Sequence, residues 1–155
     1  METLQVGEFE RLYTGRLCSV MSWEQLARFW ERLILNANDG WYLYAVGEPP
    51  PLAAELGSTV AEFVNRIDAL LRREHRESYC GIVYCDDLER PSFVKIYDPN
   101  HLGSSCGSGK QVLLPGWIIS CVAPIDLKPP QPAPEGRRRW WQEFLGLGRA
   151  ERINS

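Results

Sequence analysis

Residues 41–46, the uncharged run WYLYAV, constrain this chain's fold more than any other stretch. Read as a strand, they put Trp41, Leu43 and Ala45 on one face and Tyr42, Tyr44 and Val46 on the other. Neither face is plainly wet, so the strand is expected well inside a sheet or at an interface. Gly47, Glu48 and then Pro49, Pro50 and Pro51 end it, because proline has no N–H to give to a ladder.

Amphipathic helices flank this strand. Before it, Leu26, Phe29, Trp30, Leu33, Ile34 and Ala37 recur at helical spacing, with Arg28, Glu31 and Arg32 on the opposite face. Ser22 and Gln25 have the spacing of a capping box, and Asn38, Asp39 and Gly40 make a stop in which Gly40 is free to turn left-handed. After the strand, Val60, Phe63, Val64, Ile67, Leu70 and Leu71 form a wide apolar stripe. That helix is expected to open near Ser58 or Thr59, with Thr59 and Glu62 as its capping box. Arg72, Arg73, His75 and Arg76 at its end suit the negative pole of the helix dipole. Residues 1–21 keep no long period and are expected to be a helical or irregular lead-in docked on the body.

Residues 79–85 and 92–97 read as two more strands, joined by a charged loop that ends in Pro91. In the second, Val94 and Ile96 face one way, while Phe93, Lys95 and Tyr97 face the other. A lysine between two aromatics predicts an open or interfacial face. A last strand is expected over residues 117–122. Only the path from Trp41 through the second helix to Tyr79 has the length of a parallel crossover, so the sheet is expected to be mostly antiparallel. The fold class is therefore α+β, with two main helices packed on a sheet of about four strands.

A chain of 155 residues suits one domain. Residues 1–127 are expected to form it. Residues 128–136, with Pro129, Pro130, Pro132 and Pro134, form a stiff spacer, and residues 137–155 form a basic tail with a short docking helix. The formal charge is -3 overall, but the residues from Lys128 onward carry net +3 and the rest net -6. So acidic a body does not suit nucleic acid, which draws a large positive field. No apolar run is long enough to span a bilayer, and the start lacks the pattern of a secretory signal. A cytoplasmic protein with no integral membrane association is expected. The odd count of five cysteines then implies free thiols instead of a disulfide framework.

Three patterns invite chemistry. The first is the glycine- and serine-rich stretch 103–110, ending in Gly109-Lys110. It departs from a phosphate-binding loop because Gly103 and Gly109 are one residue too far apart and Gln111 stands where a hydroxyl is required. The second is Asp98, His101 and Cys106, in which His101 would activate the Cys106 thiol and Asp98 would orient His101. Metal binding is the third, and it fails on spacing. Cys80 and Cys85 fall on opposite faces of one predicted strand, and Cys121 is expected to be a core thiol beside Trp117 and Ile119. No cofactor or metal is expected.

Tyr42 and Tyr44 on one strand and Phe93 and Tyr97 on another are the kind of aromatics on which single-stranded bases stack, but the positive groove is missing. They are expected to pack under helices or to meet the tail or a partner. In the tail, Arg137, Arg138 and Arg139 precede Trp140, Trp141 and Phe144 at helical spacing. Such a helix is marginal alone and needs a surface, its own domain or another protein's. Arg and Trp are favoured interface anchors, and Lys110 joins them as a candidate partner-binding residue. The expectation is a small non-enzymatic interaction or regulatory protein whose partner is another protein. The alternative is a small thiol-dependent enzyme working through Asp98, His101 and Cys106.

Overall fold

The structure, a computed structural model, describes residues 7–37, 40–101, 113–129 and 132–154, with His101 and residues 147–154 described for their backbone only. The elements run α1 (Glu8–Thr14), β1 (Cys18–Val20), α2 (Trp23–Leu35), β2 (Tyr42–Ala45), α3 (Gly57–Glu74), β3 (Val83–Cys85), β4 (Phe93–Ile96), β5 (Trp117–Ser120) and α4 (Glu135–Asn154). The class is α+β. Among the described residues the sheet has five strands in the order β1-β3-β4-β5-β2, every pair antiparallel. The strand absent from the expectation is β1, three residues too short to show a period.

Strand alternation sorts the apolar residues into two layers. Trp41, Leu43, Ala45, Val83, Cys85, Val94, Ile96, Trp117 and Ile119 join the stripes of α2, α3 and α4 on one face. Tyr44, Val46, Phe93 and Ile118 lie on the other, where Phe9 of α1 covers them with help from Leu12, Tyr13, Leu114, Val122 and Leu127. The face pattern expected for residues 41–46 is therefore the one observed. A place well inside the sheet is not. β2 is an edge strand, paired with β5 alone and flanked outside by the Trp41–Glu55 and Val46–Glu48 bridges. Apolar faces report the layers above and below a strand, and they carry no information about its lateral neighbours.

Local signals account for most helix ends, with corrections. Ser22 caps α2, its hydroxyl accepting from the Gln25 N–H at 2.9 Å, but the Gln25 side chain reaches back to the Met21 N–H instead of closing a box on Ser22. The helix stops at Asn36, whose Nδ2 donates to the Arg32 carbonyl at 2.9 Å, before the expected Asn38-Asp39-Gly40 stop. Asn38 and Asp39 lie outside the described residues. α3 starts at Gly57 without a side-chain cap, so the Thr59–Glu62 box is not formed. Thr59 is buried in the first turn, and Glu62 pairs with Arg66 at 2.7 Å.

Gly81, at φ +70°, breaks the predicted strand 79–85 ahead of β3. The break resets the alternation, so Cys80 and Cys85 are buried on the same side of the sheet and not on opposite faces. Cys121 follows the end of β5 and is exposed, not a core thiol. No helix among the described residues is long and apolar enough to cross a membrane.

Past β5 the chain follows the second face, where the Leu127 N–H donates to the Tyr44 hydroxyl at 3.1 Å. It then passes Gly47 at the end of β2, where Pro129 and Ala133 approach, and enters α4 on the opposite face. α4 is 20 residues long and not short. Trp141 and Phe144 bury against Phe63 of α3, with ring centroids 6.0 and 5.5 Å away, and Trp140 meets Trp117 at 5.7 Å.

Candidate functional site

Arginines in the first turn of a helix oppose its dipole. Arg137 is compensated by two carboxylates from distant parts of the chain. Its Nε and Nη2 donate to the two oxygens of Asp98 at 2.7 and 2.9 Å, and Nη2 donates to Glu74 Oε1 at 2.6 Å. Asn100 braces the pair, its backbone N–H on Asp98 at 2.9 Å and its Nδ2 on Glu74 at 2.6 Å. Hydrogen bonding from Arg137 holds the Glu74 carboxyl at about 2, against 4.5 for a free one, and the Asp98 and Glu74 bonds raise Arg137. This is a clamp that fastens α4. A recess of about 180 Å³ lies beside it between Gly116, Pro134 and Arg137, and its charged groups already satisfy one another, Arg138 meeting Glu48 at 3.3 Å.

The other expected site residues are only partly described. Asp98 is 6% exposed and engaged by Arg137; His101 ends a short 3-10 turn, and Cys106 and Lys110 lie outside the described residues. Trp141 and Phe144 are buried, Trp140 is partly so, and Arg138 and Arg139 are exposed. Burial raises the Cys80 and Cys85 thiols, Cys85 to about 12, which makes them poor nucleophiles. Among the described residues no three of His, Cys, Asp and Glu gather where they could hold a metal ion. His75 serves the fold, because its Nε2 lies 2.8 Å from the Cys80 carbonyl and so carries the proton it donates there.

The second face of the sheet holds a different arrangement. Register sets Tyr84 directly opposite Lys95, and Lys95 opposite Ile118, which is itself opposite Tyr44. α1 covers one end of this row, with Phe9 and Tyr13 packed on Phe93 at 5.5 and 6.4 Å. The other end opens into a cleft of about 440 Å³ lined by Leu17, Gly81, Ile82, Tyr84, Lys95, Tyr97 and Leu113. Tyr84 and Tyr97 meet edge to face at 5.6 Å. The Lys95 ammonium sits 3.8 Å from the centre of the Tyr13 ring.

Among the described residues, Lys95 is the cleft's one charged lining residue and has no carboxylate within ion-pair distance. Burial lowers its pKa, and burial also raises Tyr97, with Tyr84 adding to the rise. Tyr13 is pushed up to about 12 by burial and then by Tyr97 and Tyr44. Tyr13 and Tyr97 therefore keep their protons at neutral pH, and the described lining of the cleft is a greasy, aromatic wall with a single cation, Lys95. The sequence pattern singled out Lys95 between Phe93 and Tyr97. It missed Tyr84, Leu17 and Gly81, which only strand pairing brings alongside.

Comparison with family models, with curated proteins and with solved structures finds no match to this chain.

Proposed function

We propose that this chain is a small non-enzymatic recognition domain of the interaction or regulatory kind, and that it meets another protein through the Tyr84–Lys95–Tyr97 cleft. One observation carries the reading: the half-buried Lys95 lines an open aromatic cleft in which the described lining residues supply no counter-charge. A cation away from bulk water gains more from an opposite charge than an exposed one does, and aromatic walls supply contact area at low entropic cost. The four free thiols among the described residues accord with a reducing, cytoplasmic setting. The thiol-enzyme alternative would need Asp98 to orient His101 while also holding Arg137.

The test is a photo-crosslinking amino acid at Tyr97, with the same group at Leu35, 84% exposed on α2, as the control. In native extract the Tyr97 probe is expected to give a discrete adduct that the Leu35 probe lacks and that excess unlabelled protein suppresses. Identical adduct patterns from both positions would refute the assignment.

A further inference from the structure

The geometry points to the C-terminal residue of a partner chain as the occupant of this cleft, its free carboxylate on Lys95 and a large apolar side chain against Tyr84, Tyr97 and Leu17. This rests on the cleft being the recognition site and adds what it recognises. The lining sets the terms. Among the described lining residues there is one cation, so one negative charge suffices; the other described side chains are apolar or phenols, so the rest of the occupant must be largely apolar. Both features must fit within about 440 Å³, so the charge and the apolar group must lie close together.

A chain terminus meets that demand, since its carboxylate and its last side chain leave the same Cα. An internal Asp or Glu does so poorly. Its main chain continues in both directions and brings peptide N–H and C=O groups against Ile82, Leu17 and Leu113, where they would lose water without a partner. From a terminus only one strand of main chain leaves, and the open side of the cleft gives it an exit. Lys95 is also oriented before any ligand arrives, because the Tyr13 ring holds its ammonium from the side of α1 at 3.8 Å. A preset charge loses less freedom on binding than a swinging lysine would. Selectivity follows from the same arrangement, since an amidated or extended terminus leaves Lys95 unanswered and buries an uncharged polar group in its place.

The experiment is an NMR titration of the full-length, nitrogen-15-labelled protein with the peptides Gly-Ser-Ala-Leu, Gly-Ser-Ala-Phe and Gly-Ser-Ala-Trp. Each is used as the free acid and as the C-terminal amide, with 3-phenylpropionate as a carboxylate that is not a peptide. At least one free-acid peptide is expected to shift the amides of Gly81, Tyr84, Lys95 and Tyr97 saturably, at least tenfold more tightly than its amide. Lys95→Gln is expected to abolish that difference with the spectrum otherwise folded, and Lys95→Arg to keep most of it. Amides that bind as tightly as acids overturn the carboxylate inference and leave the cleft as a recognition site. Tighter binding of 3-phenylpropionate than of any peptide overturns the chain-terminus inference in favour of a small organic acid. If no probe moves the cleft amides, the chain-terminus inference falls, and the Tyr97 crosslink decides the recognition reading separately.

Discussion

Phe63 touches three rings of α4 at once, Trp140, Trp141 and Phe144, and is fully buried. Truncating it removes the surface on which α4 lies, so Phe63→Ala is expected to cost about 3–5 kcal/mol, measured by urea unfolding. The thiols offer a second check on the core. Cys18 is exposed, whereas Cys80 and Cys85 are buried with raised pKa values. Maleimide at neutral pH is expected to modify Cys18 readily and to reach Cys80 and Cys85 only at the rate of unfolding, as peptide mass mapping would show. Fast labelling of either buried thiol in native protein would contradict this packing.

α4 holds its place through the Arg137 clamp as much as through its apolar face. Removing the guanidinium leaves the buried Asp98 and the partly buried Glu74 without their shared cation. Arg137→Ala is expected to destabilise by about 3 kcal/mol. The clamp also predicts acid sensitivity. Glu74 has its pKa depressed in the folded state, so its contribution is complete above its unfolded value of 4.5 and is lost as pH falls towards about 2. Thermal melts of the wild type should therefore drop more steeply than those of Arg137→Ala across that window; parallel curves would remove Glu74 from the account. Here the sequence was half legible. The apolar spacing of Trp140, Trp141 and Phe144 announced a helix in need of a surface. Asp98 and Glu74 gave no sign of their role, being 39 and 63 residues away from Arg137 and joined to it only by the fold.

At the scale of the molecule, α2, α3 and α4 crowd one side of the sheet, while α1, seven residues long, covers part of the other. Native-state hydrogen exchange is expected to show α1 and β1 opening first and α3 and β5 last. Early exchange of α3 would place the stability elsewhere. Layering of this kind was readable, because periods of 3.6 and 2 act on neighbours along the chain: the faces of residues 41–46 and the stripe of α3 needed nothing more. Strand order was not, because it depends on pairings between distant segments. So β2 turned out lateral, and the wall residues of the cleft, Tyr84 and Lys95, were legible one at a time but not as a pair.

The two margins of the sheet differ in kind yet come to the same end. Along β2, the chain folds back at Glu48 and Glu55 and three prolines deny donors, while along β1 the free rim is only three residues long. Among the described residues neither rim offers a long free edge for strand addition. Side chains, among the described residues, then offer more surface for contact with another molecule than any free strand rim does.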